Sequence, residues 1–298
     1  MKRISVIINP ISGTASKKHI PMLLDQYIPS NKFEKQFFFT EYHGHAFEMA
    51  SQAVQNRSDF VIAVGGDGTV NEVAKALIHS SSVLGIIPMG SGNGLARDLF
   101  IPMDVRKAIE VIAEQQITCI DYCKANEQIF FCTCGVGFDA LISKRLAEKK
   151  RRGPFAYLKS IAIEYLSFKP DTYEIILEDK VLTKKAFLLT CANASQYGNN
   201  AFIAPHARMN DGVMDIAILF PFTFWDLGPL IVQMFTKQID KNSKTEYYKA
   251  KQVILKRKKP GIVHVDGEPI QMGDIISIRT IHNGLNVIVP NDPVYRDY

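Results

Sequence analysis

Three glycines and one aspartate stand at the centre of FVIAVGGDGTVNE, residues 60–72, where a β-branched apolar run breaks off and a helix-forming stretch begins. Gly65, Gly66 and Gly68 remove side chains, so backbone N–H groups can approach an anion at a strand-to-helix turn. Thr69 and Asn71 have the residue types that cap a first helical turn, and Glu72 to His79 supplies the helix. A phosphorylated ligand is the expected occupant. Asp67 is the odd member, because a carboxylate beside a polyphosphate is unfavourable unless it meets a cation, orients a hydroxyl or takes a proton. An ordinary α/β turn is also rich in Gly and Asp, so the segment alone does not decide the matter.

Two further loops carry the same signature. Asn9-Pro10-Ile11-Ser12-Gly13 follows an apolar strand, and residues 88–97, PMGSGNGLAR, follow another and enter a helix. Neither ends in the Gly-Lys-Ser/Thr of a Walker loop, yet two small-residue loops beside Asp67 point to a nucleotide. Two acidic turns lie further along, ARMNDGVMD at 207–215 and VDGEP at 265–269. Asp-Gly is the expected dipeptide of a hairpin, and a cation site or a base is the alternative.

The elements that must position these loops alternate through the first third. Strands are expected at Ile4–Ile8, Phe37–Thr40, Phe60–Val64 and Val83–Ile87, with helices at Ile20–Tyr27, Ala46–Gln55, from Asn71, and near Val105–Glu114. This order implies a doubly wound, mostly parallel α/β domain whose loops at Asn9–Ser12, Thr40–His45, Gly65–Thr69 and Pro88–Arg97 converge at the strand C-termini. Beyond about Asp121 the pattern becomes period two, in Glu174–Glu178, Ala186–Ala192, Gly212–Leu219, Val253–Lys256, Val263–Val265, Ile275–Thr280 and Asn286–Val289. One helical interlude, Leu141–Phe168, interrupts it. The expected organisation is a nucleotide domain at 1–120 and a C-terminal antiparallel β-sandwich at 121–284. The last segment, about 285–298, returns to the first domain.

The chain of 298 residues is long enough for two domains, and its net charge of +5 is too small to imply nucleic acid. The apolar stretch in MKRISVIINP is too short for a secretory signal, which points to the cytoplasm. Cys119, Cys123, Cys132, Cys134 and Cys191 lack zinc-knuckle spacing and read as reduced thiols. Residues 216–235, IAILFPFTFWDLGPLIVQMF, form the most apolar stretch, but Pro221, Asp226, Gly228 and Pro229 interrupt it, so a membrane span is not expected. Phe220, Phe222, Phe224 and Trp225 offer a surface-seeking loop, and the basic runs Lys149–Arg152 and Lys256–Lys259 suit anionic headgroups. The bland alternative is core aromatics and solvated lysines.

Taken in order, NPISG, GGDGTVNEV, PMGSGNGLARDL, ARMNDGVMD and VDGEP resemble the diacylglycerol kinase catalytic-domain family, in particular soluble bacterial lipid kinases related to sphingosine and ceramide kinases. The glycine-aspartate motif is shared with NAD kinases and phosphofructokinases, and NPISG and VDGEP select the lipid-kinase branch. The resemblance implies ATP- and magnesium-dependent phosphorylation of a lipid hydroxyl, in a cleft between a nucleotide domain and a lipid domain, by a protein peripheral to the cytoplasmic face of the membrane. It assigns the nucleotide to Asn9, Ser12, Thr40, Gly66, Asp67, Gly68, Thr69, Val70, Asn71, Glu72, Ser91, Gly92 and Asn93. Asp67 would act with magnesium and the phosphates, and Glu268 would be the general base, although either carboxylate is a candidate for the proton. Arg208 and Val213, through their carbonyls, and Asp211, through its side chain, would hold a second, structural magnesium. Gly92 within GSGNGLA, where many bacterial relatives carry threonine in this loop, is closer to the sphingosine-kinase flavour. A kinase for a soluble substrate such as NAD, and a non-catalytic nucleotide or lipid binder on the same scaffold, are the other readings. A homodimer through the β-domain is a further partner expectation.

Overall fold

The computed structural model describes residues 1–13, 16–148, 164–165 and 167–291. The chain divides into two compact units, Met1–Asp121 with the stretch from Asn283, and Tyr122–His282.

In the first unit, strands β1 (Lys2–Ile8), β2 (Phe33–Phe39), β3 (Phe60–Gly65) and β4 (Val83–Pro88) pair in the order β2-β1-β3-β4, all parallel. Both β3 and β4 are buried along their whole length, as their unbroken apolar sequences FVIAVG and VLGIIP require of central parallel strands. Helices α1 (Ile20–Tyr27), α2 (His45–Gln55), α3 (Asp67–Leu77), α4 (Gly94–Asp98) and α5 (Val105–Glu114) connect them. Phe60, Ile62 and Val64 pack with Leu24 of α1 and Ile109 and Ile112 of α5, while α2 and α3 pack on each other. From β1 the chain winds out to β2, then crosses back to β3 on the other side. The C-terminal ends of β1 and β3 therefore flank the topological switch point, where α/β sheets bind ligands.

Helix α3 begins at Asp67, not at Asn71, and Gly66 takes the cap position with no side-chain bond to the helix. Thr69 and Val70 are consequently interior helical residues, both buried.

The second unit is antiparallel. Strands β7 (Thr133–Gly137), β10 (Leu188–Ala192), β11 (Met214–Leu219), β12 (Thr245–Ala250), β14 (Gly261–Val265) and β15 (Glu268–Met272) form a sheet ordered β12-β11-β10-β7-β14-β15. A second set pairs β8 (Asp171–Ile176) with β9 (Val181–Ala186), then β13 (Gln252–Lys256) with β8 and with the first half of β16 (Ile275–Ile288). Strands β5 (Ile117–Ala125) and β6 (Gln128–Phe130) make a hairpin. Ile175, Ile216, Ile218, Val253, Val263 and Ile276 share one core, the expected result of apolar residues on alternate positions.

Helix α6 (Phe138–Glu148) starts three residues before the expected interlude, and most of the remainder of that interlude, together with the basic run at 149–152, lies outside the described residues. Residues 216–235 resolve into β11, a 3-10 turn at Phe224–Asp226 and helix α7 (Leu227–Phe235). Among the described residues no helix is long and apolar enough to cross a membrane. Cys123, Cys132, Cys134 and Cys191 are buried, and burial pushes the Cys134 and Cys191 thiols well up, which keeps them protonated and inert.

Candidate active site

In the first unit three loops lock onto each other at the switch point. Asn9 N–H donates to the Val64 carbonyl at 3.0 Å, and its side-chain amide donates to Thr69 Oγ1 at 3.0 Å, so the loop after β1 is tied to the turn after β3. Ile11 N–H donates to Asn9 Oδ1 and the Ser12 hydroxyl to the Asn9 carbonyl, both at 3.1 Å, which shapes NPISG around its first residue. Thr40, at the end of β2, is buried, and its N–H reaches the Ile8 carbonyl.

The turn after β3 meets the loop after β4 backbone against backbone. A Cβ on Gly90 would lie 2.6 Å from Gly66 Cα and 2.8 Å from Asn93 Oδ1, closer than real Cβ contacts come. Asn93, in the left-handed region at φ 53, closes its loop by accepting from Gly90 N–H at 3.0 Å and donating to the Gly90 carbonyl at 2.9 Å. Asp67 completes the lock. Its carboxylate accepts Asn93 N–H at 2.9 Å and Gly94 N–H at 2.7 Å, so a charge at the start of α3 also caps α4 and gains from both helix dipoles. Gly92 lies against the same carboxylate, 2.7 Å from Asp67 Oδ2 to an added Cβ, and the loop offers no side chain at that position. Arg97 Nε holds the Gly92 carbonyl at 2.9 Å.

The result is a rigid floor of backbone beneath an open space. Nothing lies within 4 Å of a Cβ built on Gly68, and the first N–H groups of α3 have no intrahelical acceptor. Such a turn favours an anion.

Not every expected ligand-binding side chain faces that space. Val70 is 3 % exposed and belongs to the core. Glu72 accepts the N–H groups of Gly44 at 2.9 Å and Ala46 at 3.1 Å, so it caps the start of α2, where Gly44 offers no side chain of its own. Ser91 is exposed, Gly68 is exposed, and Asn71 is half-buried. One residue went unforeseen. Lys17 is only 5 % exposed, donates to the Ser12 carbonyl, and has its ammonium pKa lowered by burial. A buried cation tied to the Asn9–Gly13 loop is a stronger signal than the charge-rich SKKH sequence conveyed.

In the second unit, Asp266 and Gly267 turn β14 into β15 with φ of 48 and 83, a two-residue hairpin of the primed type. The Asp266 carboxylate accepts three N–H groups, from Phe131 and Cys132 at 2.8 Å and from Thr133 at 2.9 Å. Upstream on β14, His264 Nε2 lies 3.1 Å from Asp139 Oδ2, which also accepts the Thr190 hydroxyl at 2.8 Å. Glu268 is thus presented from an anchored hairpin. Its own carboxylate is exposed and has no hydrogen-bond or ion-pair partner among the described residues.

The expected magnesium turn is built differently. Asp211 Oδ1 accepts Val213 N–H at 3.2 Å, and Oδ2 pairs with Lys249 Nζ at 3.0 Å. The same ammonium lies 3.3 Å from Asp215, a carboxylate whose pKa burial raises and Lys249 pulls back. Among the described residues no three His, Cys, Asp or Glu side chains converge as a metal site. A divalent cation on the Arg208 and Val213 carbonyls and the Asp211 side chain would share that carboxylate with the Lys249 ammonium.

Residues 3–125 match the diacylglycerol kinase catalytic domain model, and residues 132–289 match the YegS C-terminal NAD kinase beta sandwich-like domain model. The chain belongs to the diacylglycerol kinase family of lipid kinases. The fold class expected from the sequence, α/β followed by an antiparallel β-domain, agrees with this. Among family relatives, a diacylglycerol kinase of Staphylococcus saprophyticus is 29 % identical over 98 % of this chain and 96 % of its own length. That of Staphylococcus aureus is also 29 % identical, over 98 % and 94 %. A solved diacylglycerol kinase from Bacillus anthracis shares the fold, with a TM-score of 0.77 at 20 % identity over 98 % of both chains. An NAD kinase from Archaeoglobus fulgidus, solved with ATP, is a more distant likeness, with a TM-score of 0.55 at 11 % identity over 97 % of this chain and 94 % of its own.

Proposed function

We propose that this lipid kinase transfers the γ-phosphoryl group of ATP to a hydroxyl of a membrane lipid, with diacylglycerol, named in its relatives, as the acceptor. The observation that carries the reading is the locked floor of Asn9, Gly66, Asp67, Gly90 and Asn93 beneath the open start of α3. Phosphates rest on the free N–H groups there, and Lys17 and Ser12 line the loop beside them.

Each Asp67 oxygen accepts one N–H and keeps a lone pair, so the carboxylate fits a magnesium ion that arrives with the nucleotide. When bound, that ion neutralises phosphate charge. Asp67 orients the nucleotide end of the reaction through the loops it clamps. Glu268 takes the proton, because its carboxylate is exposed and without a protein partner, whereas the lone pairs left on Asp67 are the ones that would serve the magnesium ion. The lipid hydroxyl oxygen bonds to the γ-phosphorus, the bond to the β-γ bridging oxygen breaks, ADP leaves, and the hydroxyl proton passes to Glu268.

ATP supply places the reaction on the cytoplasmic side, with the protein peripheral to the membrane. The NAD-kinase reading is less favoured, since that likeness is one of fold. Asp67→Asn tests the assignment: phosphoryl transfer should be lost, and retention of most turnover would contradict it.

A further inference from the structure

The four aromatics expected to form one surface-seeking loop divide in two. Phe220 packs on the core of the second unit, and Phe222 stacks on Tyr165 at 5.3 Å and meets Phe187 at 4.7 Å. Phe224 and Trp225 do the opposite, at 59 % and 86 % exposed. The chain turns out at that point by construction: Thr223 N–H and Oγ1 both donate to Asp226, at 2.7 and 2.8 Å, in a capping box that fixes the 3-10 turn.

Helix α7 extends the exposed patch. Leu230 points inward at 3 % exposed, and Met234 packs on the same cluster as Phe138 and Leu219. On the other face Val232 and Phe235 are 61 % and 52 % exposed, and with Trp225 and the exposed Pro229 they fall at the i, i+4, i+7, i+10 spacing of one stripe. The nine residues LGPLIVQMF contain no charge. A helix apolar on both faces is one whose second face is also covered.

We infer that Phe224, Trp225 and the outer stripe of α7 are the surface by which the protein inserts into an anionic lipid bilayer. The inference rests on the lipid-kinase reading, which requires a bilayer as the source of substrate. Charge favours the same occupant. Lys237, Lys241 and Lys244 outnumber the two acids nearby, Asp226, which Thr223 hydrogen-bonds as the carboxylate, and Asp240, 3.2 Å from His206; Lys241 is exposed, and the exposed Lys237 lies over the Phe202 ring at 4.4 Å. A lone tryptophan at the tip suits the headgroup boundary. Of the run Lys256–Lys259, expected to meet headgroups, the first two are engaged elsewhere: Lys256 pairs with Glu174 at 2.9 Å, and Arg257 donates to the carbonyls of Gly261, Ile262, Met272 and Gly273, while Lys258 and Lys259 are exposed.

Trp225 is the only tryptophan, so its fluorescence reports the patch directly. With vesicles of phosphatidylcholine and phosphatidylglycerol at low salt, emission should shift to the blue and brominated acyl chains should quench it. Both effects should weaken in pure phosphatidylcholine and at high salt. Combining Val232→Asp with Phe235→Asp should weaken vesicle partitioning by about tenfold or more. Turnover of a dispersed short-chain diacylglycerol should stay unchanged in that variant. No shift with any vesicle overturns the inference, as does a shift that appears on concentrating the protein without lipid, which would mark a second copy as the occupant. Vesicle binding without phosphorylation of any lipid would support the surface and refute the lipid-kinase reading.

Discussion

Gly68→Ala should separate folding from function at the start of α3. Gly68 is the second residue of α3, its φ is not positive, and an added Cβ meets nothing within 4 Å. Replacing glycine by alanine in a helix is worth about 0.5–1 kcal/mol, so the variant should be at least as stable as the parent and melt about 2 °C higher. The same methyl group enters the space where the phosphates are proposed to lie and stands against an anion held by backbone N–H groups. A misfit costing about 2–3 kcal/mol raises the KM for MgATP roughly 30- to 150-fold. Gly90→Ala is the counterpart. Its Cβ would strike Gly66 Cα, which is backbone, and Asn93 Oδ1, so the loops must part and the hydrogen bonds of Asn93 to Gly90 weaken. That variant should lose about 3 kcal/mol of stability, from overpacking plus the weakened bonds. Urea unfolding with steady-state kinetics reads both quantities. A Gly68→Ala enzyme with unchanged KM for MgATP would refute the placement of phosphates on this turn, whatever its stability.

Glu268→Gln should lower kcat by about 10²–10⁴ with little change in melting temperature or in the KM for ATP, because the exposed carboxylate supports nothing else; an active variant would return the proton to Asp67. Lys17→Met should raise the KM for MgATP about tenfold or more while leaving stability equal or higher, since a buried ammonium with a lowered pKa is costly to the fold; an unchanged KM would remove Lys17 from the site. Lys249→Met should cost about 1–2 kcal/mol at neutral pH by leaving Asp215 ionised and unpaired. Burial already raises the Asp215 pKa, so the protonated form is the one the fold tolerates, and the deficit should shrink as pH falls toward that pKa. Melting curves of the parent without nucleotide should not respond to magnesium or chelator, and a saturable rise with magnesium would favour the metal reading of the Asp211 turn.

The central strands were legible because unbroken β-branched runs such as FVIAVG have no other stable placement than the middle of a parallel sheet. The start of α3 was not, since the capping residue types Thr69 and Asn71 lie inside a helix whose own cap position is a glycine. Strand β16 reads as two because His282-Asn283-Gly284 has hairpin composition; the strand instead runs on through Asn283 at φ 53, whose N–H the distant Asp121 accepts at 2.8 Å. The site divides the same way. Glycine loops announce an anion locally, whereas the partners of Asp67, Glu72 and Asp211 are set by tertiary contacts 26 to 38 residues away and leave no trace in local spacing.

Transfer of label from γ-labelled ATP, with magnesium, to a panel of lipids in mixed micelles tests the central claim most directly, with NAD and water as control acceptors. The account predicts a labelled lipid, diacylglycerol first among the panel, and none in NAD. Label in NAD alone, or in no acceptor, would contradict it.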